Sequence, residues 1–382
     1  YGEVGNDRVG GRRFLYRSQV GFSGDDYVFG GSNPVPVQVI EFGGLPNIFV
    51  TWERAKKSNV GLDVDMMNYK FGLKLDVFFE KRDNILASRN ASVPAYFGAT
   101  LPVENIGKVD NSGFEAELRY RNSIGAFSYY VNVNYTFAQN KVRFIDEPEN
   151  VPSYQKRAGY PIGQFYGFVV NGLYQTPEQI NDLPKIFDAE EEVIIEPKLG
   201  QFIYKDINLD GVIDRLDQTA IGKSETPQSI YGLTLGADFK GIDINMLWQG
   251  ASGFSVMRND EAFYEFAFGG KAFNYVKDNW TPDNPNASYP RLSLTDNSYK
   301  REISSYWTHE ANYLRLKSIE IGYTFPSRIF PRNAISKLRI YVSGTNMLTF
   351  SKEKDFDPES RSGQPLFYPI TKLTSVGINL SF

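Results

Sequence analysis

The stretch YKDINLDGVIDRLD, residues 204–217, gathers hard oxygen donors at regular intervals. Asp206, Asn208, Asp210, Asp214 and Asp217 fall at positions one, three, five, nine and twelve of a loop, with Gly211 at the sixth, where a sharp turn is needed. That spacing suits calcium, whose roughly 6–8 oxygen ligands would come from these five side chains and the backbone carbonyl of Val212. The twelfth position is Asp rather than the usual bidentate Glu, so its reach is shorter. The flanking stretches GQFIYK and QTAIGKSETPQS lack helical periodicity. The loop therefore does not join two helices, and a calcium switch that opens a helix pair is not expected. The same residues can also build interlocked turns, because Asp and Asn accept hydrogen bonds from their own backbone. The expectation is a structural calcium that pins a long loop, with no other cofactor.

Other chemistry is sparse. Cysteine is absent and His309 is the one histidine, which removes thiol chemistry, disulfides and His/Cys zinc sites. A single loop histidine is a poor start for a Ser-His-Asp triad, and no catalytic residue is assigned. The acids in FDAEEEVIIEPK (187–198) could be a glycosidase pair, but a solvated loop edge accounts for them. Trp52, Trp280, Trp307, Tyr166, Tyr174 and Tyr204 could stack on sugars or peptides. For any single one, loop packing is the expectation. A net charge of −4 with scattered lysines and arginines excludes a nucleic-acid footprint.

The elements that must position these groups are strands. In GAFSYYVNVNYTFAQ, Phe127, Tyr129, Val131, Val133, Tyr135 and Phe137 alternate with Ser128, Tyr130, Asn132, Asn134 and Thr136, which is a period of two. The same pattern predicts strands near 58–67, 69–83, 112–122, 126–140, 229–239, 241–251, 311–325, 336–348 and 371–382. Many reach the ~9–11 residues of a membrane-crossing strand. Links between them alternate short and long, with loops near 7–57, 84–111, 141–228, 252–310 and 349–370. That rhythm indicates an all-β, transmembrane antiparallel β-barrel with short periplasmic turns and long extracellular loops. Tyr135, Phe137, Trp248, Tyr323 and Phe325 suit an interfacial girdle. By strand parity the calcium-like loop lies outside the cell. Arg315 and Lys317 share the outward parity of Ile319, Ile321 and Tyr323. They would meet lipopolysaccharide phosphates, or they simply snorkel, or a bulge turns them inward. A secreted, calcium-stabilised β-rich glycan-binding module with sheet-on-sheet packing is the alternative.

Seven segments in order carry a resemblance: YGEVGND (1–7), TWERAKKSNVGLDV (51–64), YPIGQFYGFVVNGLYQT (160–176), KDINLDGVIDRLDQTAIG (205–222), WTPDNPNASYPRL (280–292), YWTHEANYLRLKSIEIGYTFP (306–326) and LRIYVSGTNMLTF (338–350). Together they resemble the C-terminal part of the SusC/RagA family of TonB-linked outer-membrane transporters of Bacteroidetes. The resemblance implies a barrel of about 22 strands around a plug. Residues 1–382 would be its C-terminal portion, with the plug domain and the N-terminal barrel strands not in this chain. It also implies import of an oligosaccharide or peptide, a SusD-like surface lipoprotein as lid, and the TonB complex as partner through the missing N-terminal region. The rest of the barrel would come from the same or a separate chain, because open sheet edges are not tolerated in lipid.

Overall fold

The computed structural model describes residues 1–6, 14–18, 20–30, 34–42, 45–89, 101–188, 193–258, 263–266, 269–294, 302–330, 335–354, 356–360, 362 and 370–382. Ten of its strands form one sheet: β1 (Gly2–Asn6), β2 (Glu53–Met66), β3 (Phe71–Ser88), β4 (Val103–Ile124), β5 (Phe127–Phe144), β6 (Ser229–Phe239), β7 (Ile242–Ser252), β8 (Tyr313–Thr324), β9 (Lys337–Ser351) and β10 (Leu373–Ser381). Each pairs with the next in chain order, and β1 and β10 are the sheet's two ends. All nine expected strands are present, with the short N-terminal strand added. No described helix is long and apolar enough to cross a membrane, which says nothing of crossing by strands.

The chain divides into two compact units: Tyr1–Val60, Val77–Gly113 and Gln139–Ile162 in one, and Gly61–Asp76, Phe114–Ala138 and Gly163–Phe382 in the other. In the second, register fixes which side chains share a face. Val131 lies opposite Leu235, Leu235 opposite Met246, and Met246 opposite Ile319. Val133, Leu233 and Trp248 form the next apolar row. On the other face Asn132 lies opposite Thr234, and Ser128 opposite Asp238, which in turn faces Asp243. Residues directly opposite in an antiparallel pair lie on the same face, so the alternation read along one strand becomes two continuous surfaces. The apolar surface is not covered: Ile321 is 48% and Val376 73% exposed. In water such a band would be an aggregation site, whereas in lipid it is the matching surface.

Two glycines on the polar face make room for large neighbours. A Cβ on Gly236 would sit 2.2 Å from the Tyr130 ring, and one on Gly377 would sit 2.3 Å from Tyr341. Gly236→Val is therefore expected to cost about 1–3 kcal/mol through overpacking. The fraction of protein that resists unfolding in detergent before boiling checks this.

The first unit holds residues 53–60, 77–88, 103–113 and 139–144 of β2–β5, which run further than apolar alternation indicated. Polar rungs carry them on: the Asn105 amide donates to the carbonyls of Asn84 (2.8 Å) and Thr51 (2.9 Å), and its oxygen accepts the Thr51 N–H at 2.9 Å. Arg82 bridges Glu53 and Glu80, and Arg143 meets Asp110 at 3.1 Å. The ladder needs only backbone partners, so it persists where water wets both faces and the two-residue hydrophobic signal disappears. Val20–Phe29 and Val35–Phe42 pair as a ribbon inside the stretch expected to be loop. Pro36 demotes that run in the sequence, yet it fits a two-stranded ribbon.

Candidate functional site

The polar face of the second unit is a wall of answered charges. Arg339 on β9 pairs with Asp243 on β7 and with Glu320 on β8 at 2.7 Å. Arg119 meets Asp65 at 3.5 Å, and Lys70 donates to Asn122 at 2.9 Å. Near the short turns Asp243, Arg119, Asp65, Lys70 and Asn122 line a concavity of about 830 Å³, together with Arg121, Asp238 and Asn245. A wall of this kind presents water and polar solutes with groups they can bind and leave, unlike a packed apolar core.

At the other end of β8 the register shifts, with Lys317 as an extra residue between Leu316 and Ser318. The bulge reverses the parity of what precedes it, so Arg315 lies opposite Gln249 and Thr349 on the polar face. Arg315 is buried and binds Asp357 at 2.8 Å, and Lys317 binds Glu359 at 2.9 Å. Neither cation is offered to lipopolysaccharide, and the inward reading of the pair holds.

Beyond the strand ends, the described residues of 163–228, 252–310 and 349–362 fold into a cap with its own core. Phe168, Tyr204, Ile213, Ile221, Phe263 and Trp307 are among its buried members, and Phe356 packs against them. Short ladders hold the segments in place: Phe165–Gly167 with Thr219–Ile221, Val170–Leu173 with Phe202–Tyr204, and Ser255–Met257 with Thr308–Glu310. Trp307 stands edge-on to Tyr264 at 5.2 Å and to Tyr306 at 4.7 Å. The Tyr289 hydroxyl donates to Glu265 at 2.7 Å, and burial raises the Tyr289 and Tyr306 phenols above their ordinary range. Of the aromatics singled out in the sequence, Trp280, Trp307, Tyr174 and Tyr204 are buried in this packing. Tyr166 is half-buried in its ladder. Trp52 is exposed and leans on Gly5 in the other unit.

A charged clasp that no local pattern announced closes the cap. Arg258 is fully buried, its guanidinium over the rings of Phe263 (5.5 Å) and Phe356 (5.4 Å). It donates to Ser360 at 2.9 Å and lies 3.6 Å from Glu353, which is itself buried. His309 Nδ1 is 2.9 Å from the same Glu353 carboxylate. His309 thus packs in the cap beside Glu353. Of the acidic run, residues 189–192 lie outside the described residues.

The 206–217 loop lies on this cap through Ile213, which is 2% exposed, and through a short parallel pairing of Val212–Ile213 with Lys185–Ile186. Its acids take backbone N–H groups. Asp206 accepts from Leu209 (2.6 Å) and Gly211 (2.9 Å), Asp210 from Val212 (2.9 Å), and Asp214 from Leu216 (2.7 Å). Asn208 accepts from the Asp210 N–H at 3.1 Å and donates its amide to the Asp210 carboxylate at 2.8 Å. Asp217 is fully buried and accepts from Ile207 (2.7 Å) and Asp214 (2.9 Å). Burial raises the Asp217 carboxyl above its usual range, against backbone N–H groups that favour the carboxylate. Leu209 and Gly211 take left-handed backbone, φ 62° and 87°, to close the turns. Among the described residues no three acidic or histidine side chains converge as a cation would gather them. The arrangement is one of interlocked Asx turns, and no step of the mechanism rests on an ion there.

An exposed apolar face, an ion-paired face and long connections on one antiparallel sheet suit part of a transmembrane β-barrel. Residues 16–188 match the family described as TonB dependent receptor-like, beta-barrel. Over its whole length the chain is 26% identical to TonB-dependent receptor P3 of Formosa agariphila, covering 39% of that protein. It is 24% identical to the TonB-dependent receptor SusC of Bacteroides thetaiotaomicron over 87% of the chain and 32% of that protein. The solved RagAB peptide transporter shares the fold along the entire chain, with a TM-score of 0.72, 21% identity and 40% of the solved chain covered. The chain is thus similar to TonB-dependent receptors along its length, and residues 16–188 match their β-barrel. It spans about two-fifths of the length of the first relative. One continuous ten-stranded sheet is not the sheet-on-sheet packing of the secreted alternative.

Proposed function

We propose that this chain forms wall and mouth of a TonB-dependent importer that takes an oligosaccharide or peptide across the outer membrane. The observation that carries this reading is the two-faced sheet, apolar and exposed on one side and ion-paired on the other, with long connections at one end folded into a cap. The cap, on the extracellular side, receives the solute beneath a SusD-like surface lipoprotein. The plug and the TonB-contacting segment would come from outside residues 1–382, as would the remaining strands. The solute passes along the Arg339–Asp243–Glu320 face when the plug yields, and no bond is made or broken. Strain-matched cells with and without the gene, each with TonB intact or deleted, test this. Uptake of a solute on which growth depends should need both genes. Unchanged growth on every glycan and peptide source in the absence of the gene would refute import.

For the loop, calcium at Asp206, Asn208, Asp210, the Val212 carbonyl, Asp214 and Asp217 is a separate proposal. Spacing and donor chemistry support it. The ion would have to draw carboxylate oxygens toward one point while they keep their N–H partners, which a second lone pair on each oxygen permits. Millimolar calcium should then protect the 163–228 segment from proteolysis in the wild type and not in Asp206→Ala/Asp210→Ala. Equal cleavage with calcium and with chelator, in the wild type, leaves the Asx turns as the complete account.

A further inference from the structure

The cap and the top of the strand wall enclose a second cavity, of about 460 Å³. Its floor is apolar: Ala251, Phe254, Val256 and Tyr313, with Pro227 at the side. Phe254 and Val256 are 6% and 1% exposed, so the floor is fixed by packing. Ala251 lies opposite Tyr313, two residues beyond the opposed pair Gln249 and Arg315, which puts the cavity on the polar, inward face. A solute entering from the cap would meet it before the charged wall below.

Two carboxylates border this apolar floor, Glu225 and Glu359. Glu359 is already neutralised by Lys317 (2.9 Å) and by Arg315 (3.4 Å). Glu225 is different. Among the described residues its hydrogen-bond donor is the Ser362 backbone N–H at 3.0 Å, and no lysine or arginine pairs with it. The nearby Lys223 is turned away, bound to Glu310 at 3.1 Å. A carboxylate with no cationic partner among the described residues, at the rim of an apolar pocket, repels anions and favours a cation over a neutral group. It matches a primary ammonium carried on an apolar group, with the cation at Glu225 and the apolar part on Phe254, Val256 and the Tyr313 ring. We infer that this cavity is a subsite for such an amine, supplied by the N-terminus of a short apolar peptide or by an amino sugar. The assignment rests on the import reading and narrows its substrate.

Calorimetric titration of the intact, detergent-solubilised protein tests it, with four probes: leucyl-leucine amide, its N-acetyl form, glucosamine and N-acetylglucosamine. At least one free amine should bind about tenfold or more tightly than its acetylated counterpart, the size of one charge-assisted contact. Preference within the leucyl pair assigns a peptide source, and preference within the sugar pair an amino sugar. Glu225→Gln, exposed and isosteric, should bring the free amine down to the level of the acetylated form. Thr226→Trp, also at the rim, should weaken both members of the pair by filling the cavity. Equal binding of free and acetylated forms, no binding of any probe, or an unaltered preference in Glu225→Gln overturns the subsite. If TonB-dependent uptake persists alongside such a result, the subsite falls while import stands. If the amine preference is found without TonB-dependent uptake, import falls instead.

Discussion

Arg258→Ala is expected to loosen the cap by about 3–5 kcal/mol while leaving the barrel strands assembled. The substitution takes the guanidinium away from Glu353, whose side chain is 3% exposed, and leaves the carboxylate to His309 Nδ1 at 2.9 Å. It also removes the donor to Ser360 and the cation that Phe263 and Phe356 enclose. These contacts join residues 252–310 to 349–370, so both segments should exchange amide hydrogen faster and become cleavable together. The pairings of β6 to β10 involve none of these atoms and should keep their protection. The double substitution Arg258→Met/Glu353→Leu removes both charges and should recover most of the loss. Hydrogen exchange followed by peptide mapping checks all three variants. If Arg258→Ala leaves cap protection unchanged, or if the strands loosen equally, the clasp is not what holds the cap.

Val133→Arg should abolish most assembly, and Asn134→Arg should not. Val133 lies in the apolar row with Leu233 and Trp248, so an arginine there enters lipid at a cost of about 2–4 kcal/mol near the midplane. Asn134 faces Gly232, whose missing side chain leaves room on the polar surface, and an arginine there reaches water. The yield of heat-modifiable protein in the outer-membrane fraction measures both. Equal yields would contradict the assigned faces.

The alternation from Phe127 to Phe137 made the strands legible, because a two-residue period survives any register. What periodicity could not carry was its own interruption. Lys317 is one residue of surplus, and a reading that simply counts on through it gives Arg315 the wrong side. Residues 84–88 of β3 and 103–111 of β4 were missed for a related reason: where polar rungs such as Asn105 with Asn84 carry the ladder, strand and loop have the same composition. The aspartates at 206–217 announced a tight, oxygen-rich turn, and the turn is there. Whether those oxygens converge depends on where Leu209 and Gly211 point the backbone N–H groups, which spacing does not specify. The cap core was the least legible. Trp307 and Arg258 find their partners through contacts between distant segments with no shared period. The rule that loop aromatics more often pack than bind predicted the burial of Trp280, Trp307, Tyr174 and Tyr204, yet not with which neighbours.

The central claim, that these strands are part of a lipid-embedded barrel, is tested most directly by the heat-modifiability of the intact protein purified from outer membranes. Every strand of a closed barrel is paired on both sides, so dodecyl sulfate at room temperature should leave it folded and fast-migrating, and boiling should shift it to its full apparent mass. An unshifted band, with the protein monodisperse in buffer without detergent, would contradict the account.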